Sequence, residues 1–275
     1  MPSLSYPNLQ TPEPSEIVMR YTSLAQLLSI VTQQKLPLIR LDLFRDPFEG
    51  SAPLSLIEQQ AMILGGNKNR DIQQRAIQSH YGSDYSELMD ASQPPVVTST
   101  DITARRRSRT YSTHASCWRW GTESEGMWRL YCGEKEGIAL QTTFAELERS
   151  LKQALKTEPL LVGKIQYGNY ETMQPFTEAL DHVMYKREGF SFEQEVRVLR
   201  SDEDHYNKLC NGIIDEKLSN NHPIPWDIKA TINSILISPY VGDWYLEAVS
   251  AALRCIDTEL ESRVGWSKLQ KAPAF

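Results

Sequence analysis

Twice in this chain a short apolar run of strand character ends directly on a helix-capping signal, and this junction constrains the fold more than any single motif. Ile17-Val18-Met19-Arg20-Tyr21 is followed by Ser23 with Gln26, and residues 137–143 run into Thr143 with Glu146. A hydroxyl at the N-cap satisfies a free N–H of the first helical turn, and Gln or Glu three residues on answers in return. Behind each cap the apolar residues recur at helical spacing: Leu24, Leu27, Leu28 and Val31, then Phe144, Leu147, Leu151 and Leu155.

Other segments extend the alternation. Strands are expected at 110–118, 160–167, 193–200, 234–237 and 264–269, and helices after Thr122 with Glu125, at 173–185 and at 243–261. Trp128, Tyr131 and Cys132 share one face of the helix after Thr122. Residues 1–16 carry Pro2, Pro7, Pro12 and Pro14 and read as a flexible lead-in. Residues 17–275 read as a single α+β domain with a mixed, mostly antiparallel split sheet flanked by helices. Into it a segment at 51–109 is inserted: helices over 53–90, broken at Gly65-Gly66-Asn67, then a polar loop. The loop ends in Arg105-Arg106-Arg107-Ser108-Arg109, read as a solvated basic loop in preference to a phosphate or nucleic-acid contact.

Composition removes several function classes. Lys+Arg 29 against Asp+Glu 35 gives a net charge of −6, unlike a general nucleic-acid coat. No apolar run approaches the ~20 residues of a membrane span, and the proline-rich start has no secretory h-region, so a cytoplasmic protein without membrane contact is expected. The four cysteines form no C-x-x-C pair and the histidines no H-x-x-x-H, so no metal is expected. Walker A, G-x-G-x-x-G and G-x-S-x-G signatures are missing from the sequence.

Three clusters carry possible chemistry. The sharpest runs from Lys186 to Arg197, where strand alternation puts Glu193, Glu195 and Arg197 on one face. Two neighbouring carboxylates can split their pKa values and divide the work of base and charge stabiliser; the plainer alternative is an exposed Glu–Arg ladder. The second is Met19-Arg20-Tyr21-Thr22, where Arg20 can clamp an anion or make a surface ion pair. The third is aromatic: Tyr111, Trp118, Trp120, Trp128 and Tyr131 can stack a flat ligand or form core. Ser116 and Cys117 sit there with His114 as the nearest candidate base.

In this order the clusters resemble a bacterial family, domain of unknown function 2971. The likeness runs through Met19-Arg20-Tyr21-Thr22, Arg45-Asp46-Pro47-Phe48-Glu49, Ser116-Cys117-Trp118, Met127-Trp128 with Tyr131 and Gly137, and the acidic strand at 190–197. Arg45 departs from an expected Asn, and Trp118 from an expected Phe. The order Arg, Ser, Glu-x-Glu also resembles the ADP-ribosyltransferases, which implies their fold and NAD as substrate. By that resemblance Arg20, with Tyr21 and Thr22 beside it, would hold the NAD ribose or phosphates and Ser116 or Ser112 would brace the site. Glu195 would stabilise an oxocarbenium-like transition state, Glu193 would deprotonate the acceptor or water, and Trp128 or Tyr131 would stack on nicotinamide. Arg197 would balance the two carboxylates. The acceptor would be water, a protein or a nucleic acid, in a toxin or antiphage setting.

Two other classes stay open. One is a non-catalytic module binding a nucleotide, nucleic acid or protein, with Glu193 and Glu195 solvated. The other is a nuclease in which Asp46, Glu49, Glu193 and Glu195 converge on Mg²⁺.

Overall fold

The computed structural model describes residues 6–56, 102–133, 136–213 and 218–270. In chain order the elements are β1 (Ile17–Thr22), α1 (Leu24–Gln33), β2 (Lys35–Leu36), β3 (Ile39–Arg40), α2 (Ile102–Tyr111), β4 (Thr113–Trp120), α3 (Glu125–Cys132), β5 (Ile138–Thr143) and α4 (Phe144–Leu151). There follow β6 (Leu160–Lys164), β7 (Gln166–Gly168), α5 (Asp181–Met184), β8 (Tyr185–Arg187), β9 (Glu195–Ser201), α6 (Glu203–Cys210) and β10 (Ile224–Pro225). The chain ends with α7 (Ile228–Thr231), β11 (Ser234–Ile237), α8 (Asp243–Arg254), α9 (Thr258–Glu261) and β12 (Val264–Trp266).

The two capping junctions form as the sequence requires. The Ser23 hydroxyl accepts from Gln26 N at 3.3 Å, and Thr143 accepts from Glu146 N at 3.3 Å. Each cap places a helix against the strand just completed, burying Leu27, Ile30 and Val31 from α1 and Phe144, Leu147 and Leu151 from α4. Leu155 lies beyond the end of α4 and is exposed.

An eight-stranded sheet runs β12-β11-β5-β1-β4-β9-β6, with β3 also beside β4. Every pairing within it is antiparallel except β11 with β12. Strand alternation sorts the side chains onto two faces. Val18, Trp118, Ile138, Leu140, Val196, Val198, Ile235 and Ile237 face the larger core, under α1, α4, α7, α8 and α9. Met19, Ala139 and Leu236 face the opposite layer with Trp128 of α3, as do Ala115 and Leu199 with Val183 and Met184 of α5.

The sheet is split along one edge of β4. There β1 pairs only at Trp120 and Arg119, and β3 only at Ala115 and His114. Between them Ser116 and Cys117 have no strand partner on that side; Arg20 fills the gap, its Nη1 donating to Ser116 Oγ at 2.7 Å and to Cys117 O at 3.4 Å. On the other edge β9 pairs β4 from Thr113↔Ser201 to Arg119↔Glu195 without a break.

Several expectations are corrected. The expected helices at 53–90 fall almost wholly outside the described residues. Residues 102–109 are not a loop: they belong to α2, and Arg106 and Arg109 are buried. Arg106 donates to Glu49 O and Pro47 O, and Arg109 pairs with Glu203 at 2.6 Å, so neither is a free basic contact. The helix expected over 173–185 shrinks to the single turn α5, since Pro175 disfavours helical backbone at Gln174 and Asp181 draws the loop together by accepting from Thr177 N and Glu178 N. The long helix over 243–261 breaks where Asp257 caps a new turn. The lead-in, expected flexible, is tied down from Tyr6 onward: its ring is buried and its hydroxyl donates to Asp181 at 2.6 Å.

That bond, a phenol on a buried carboxylate, should contribute about 1.5–3 kcal/mol. Tyr6→Phe is expected to lose stability in that range by urea unfolding. A change within about 0.5 kcal/mol, the scatter of surface substitutions, would mean the lead-in is not anchored there.

Candidate active site

The site starts from a tight turn. Asp46 Oδ1 accepts from Phe48 N at 2.9 Å, and Gly50 closes the turn at φ 71°, with Thr110 only 2.4 Å from where a Cβ would sit. No other residue fits there. Arg106 holds the turn from α2 through the carbonyls of Pro47 and Glu49. So fixed, Glu49 points inward and takes Arg197 in a two-pronged pair, Nη1–Oε1 2.7 Å and Nη2–Oε2 2.9 Å.

Arg197 is 0% exposed. Its Nε donates to Glu195 Oε1 at 2.6 Å and its Nη1 also donates to Val183 O at 2.7 Å. Lys186 Nζ lies 2.7 Å from both Glu193 Oε2 and Glu195 Oε2, so the two carboxylates are at most twice that distance apart. Glu193 reaches this point from the 3₁₀ turn Glu188–Glu193, not from the strand as expected, because Gln194 takes a left-handed conformation (φ 45°) before β9 begins.

The two carboxylates titrate differently. Burial works to raise the Glu195 carboxyl, but Arg197 and Lys186 outweigh it and hold it below the usual range. For Glu193 burial wins: with the negative charge of Glu195 added, its pKa is raised despite Lys186. Burial likewise lifts the Cys117 thiol well above its usual value, and Glu195 lifts it further. A thiol so raised is a poor nucleophile, because the thiolate is the reactive form.

A cavity of about 30 Å³, room for about one water, opens onto these groups. Met19, Tyr21, Cys117, Arg119, Tyr131, Glu193 and Glu195 contribute to its wall. Tyr21 and Tyr131 lie nearly parallel, 6.1 Å apart at 18°, and Trp128 meets Tyr21 edge-on at 5.0 Å. Tyr131 is 53% exposed at the rim, yet burial of its hydroxyl end, then Glu193, Cys117 and Glu195, push its phenol upward.

Of the residues singled out from sequence, Glu193, Glu195, Arg197, Tyr21 and Tyr131 come together here. Arg20 and Ser116 also meet, but on the other face of the sheet: Ser116 is in register with Val198 and Arg119 with Glu195. The implied Arg–Ser–Glu arrangement therefore does not converge in one cleft. Thr22 bonds Gln26 Oε1 at 2.8 Å on the Arg20 face. Trp128 is fully buried with its Nε1 on Glu123, a core residue. Glu193 and Glu195 are buried and ion-paired, not an exposed ladder, and the Lys186 ammonium lies between their carboxylates. Lys186 opens the cluster singled out from sequence, but its bridging of the two carboxylates, the place of Arg119 and the clamping role of Glu49 carry no signal there. Glu49 and Arg197 are 148 positions apart, so no local pattern links them.

Comparison with protein-family models, with curated proteins and with solved structures finds no match. The likeness to the families named above rests on the motifs of this chain alone.

Breaking one side of a buried ion pair typically costs about 3–5 kcal/mol, and Glu49→Gln or Arg197→Met is expected to cost that much in urea unfolding. Acid should also weaken the protein through Glu195. A depressed carboxyl contributes its stability above the unfolded value of about 4.3 and loses it as pH falls toward the lower folded value. Unfolding free energies at pH 7 and pH 3 should therefore differ less in Glu195→Gln than in the parent; an unchanged difference would show that Glu195 is not held ionised.

Proposed function

We propose that this pocket cleaves the N-glycosidic bond of NAD, passing ADP-ribose to water or to another nucleophile. One observation carries the reading: two carboxylates joined through Lys186, with opposed proton affinities, open onto a space walled by two nearly parallel tyrosine rings. In such a cleavage the bond between ribose C1′ and the nicotinamide nitrogen breaks, and its electron pair leaves with nicotinamide. The ribosyl group is left oxocarbenium-like. Glu195, kept ionised by its two cations, supplies fixed negative charge beside that centre. Glu193, whose affinity for a proton is raised, takes the proton from the attacking water or acceptor as the new bond to C1′ forms.

The tyrosines suit the leaving group, since a positively charged pyridinium ring is attracted to aromatic faces. A ring between them needs about 7 Å, twice a van der Waals contact of ~3.5 Å. The pair must therefore open by about 1 Å, and Tyr131, half-exposed at the rim, is the one placed to move. Binding without cleavage is the second reading, favoured by the ion pairing of both Glu195 oxygens.

Nicotinamide release from NAD decides between them. The parent protein is expected to release it, with a rate rising with pH as Glu193 loses its proton. Glu195→Gln should lower the rate by about 10²–10³-fold, and Glu193→Gln should flatten the acid limb. NAD binding by thermal shift with no release at any pH would leave only the binding reading. Neither binding nor release would overturn both.

A further inference from the structure

Arg119 stands apart from the other cations of the pocket. Arg197 and Lys186 are matched by Glu49, Glu193 and Glu195. Arg119 is only 8% exposed, yet its hydrogen bonds go to neutral groups: Nη1 to Trp120 O and Thr122 O, and Nη2 to Gln194 Oε1. Its cross-strand neighbour is Glu195, but that carboxylate is turned to Arg197 and Lys186. A buried charge is rarely left unneutralised, because desolvation is then uncompensated.

The arrangement around it is built, not incidental. Gln194 and Gly121 both have positive φ, at 45° and 91°, and a left-handed non-glycine residue is strained. Gln194 uses that conformation to present Oε1 to Arg119 while its carbonyl accepts from Trp120 N at 2.9 Å. A guanidinium has five N–H donors. With two committed at Nη1 and one at Nη2, the Nε–H and the second Nη2 hydrogen remain, and among the described residues the buried Nε has no partner. These two form one edge of the planar fork, the shape that takes two oxygens of a phosphate.

We propose that Arg119 is the anion-binding residue of this pocket, and that the ligand carries a phosphate close to the bond facing Glu193 and Glu195. The ligand class is then a nucleotide or dinucleotide, not a nucleoside. The inference rests on the reading of the pocket as an N-glycosidic site, but its anion subsite can be tested apart from cleavage.

Calorimetric titration with four probes tests it: NAD, ADP-ribose, inorganic pyrophosphate and nicotinamide riboside, which has no phosphate. The parent should bind NAD and ADP-ribose about tenfold or more tighter than nicotinamide riboside, the factor expected of a charge-assisted contact. Arg119→Gln should lose that preference while binding nicotinamide riboside as before. Arg119→Lys keeps the charge without the fork and should fall between; it carries the test if circular dichroism shows Arg119→Gln unfolded. Arg119-dependent binding of ADP-ribose or pyrophosphate without nicotinamide release would uphold the anion site and overturn NAD cleavage. Cleavage of NAD with unaltered affinity in either folded variant would do the reverse. A parent protein that binds none of the four overturns both.

Discussion

Arg197 is the point on which the site depends. Its guanidinium ties together three separate pieces of chain: the turn that carries Glu49, the carbonyl of Val183 at the end of α5, and Glu195 on its own strand. Because α5 leads directly into β8, fixing Val183 also fixes Lys186, and through Lys186 the carboxylates of Glu193 and Glu195. An apolar cluster of the same volume would cost less to bury than these ions. It would not hold two carboxylates beside a cavity at different proton affinities.

The parity of the sheet explains which residues can cooperate. Glu195, Arg197, Cys117, Arg119, Tyr21 and Met19 belong to one face, while Arg20, Ser116, Trp118 and Val196 belong to the other. Arg20 is also buried, and among the described residues no carboxylate pairs with it and its Nε has no partner; its Nη1 supplies hydrogen bonds to the stretch of β4 that neither β1 nor β3 reaches. The Arg20–Ser116 pair, which reads in sequence as a ligand clamp, spans the split in the sheet.

Much of the frame was legible in the sequence because its causes are local. The two capping junctions, the strand at 234–237 and the apolar stripes of α1 and α4 follow from spacing within a single turn or strand. Where the sequence reading erred, something non-local intervened. The Arg-rich stretch before Tyr111 reads as loop on polarity, yet Arg106 and Arg109 find distant carbonyl and carboxylate partners that let α2 be buried. Glu193 was expected on a strand, but the left-handed turn at Gln194 delays β9 by two residues and still delivers Glu193 to Lys186. The pairing of Glu193 and Glu195 was thus anticipated through the wrong backbone. The partnership of Glu49 with Arg197 had no local signal at all.

The charges around the cavity are arranged in opposition. Within the linked network Glu49, Glu193 and Glu195 outnumber Arg197 and Lys186, so the network carries an excess negative charge whenever Glu193 is ionised. Arg119, on the wall of the same cavity, carries a positive charge with which no carboxylate pairs among the described residues. A neutral ligand would satisfy neither. A ligand with a cationic ring at one end and a phosphate at the other would satisfy both, with the ring against Tyr21 and Tyr131 and the phosphate on the unpartnered edge of the guanidinium. The selectivity of such a pocket would then come from the separation of its two unbalanced charges more than from its volume, which the half-exposed Tyr131 leaves adjustable.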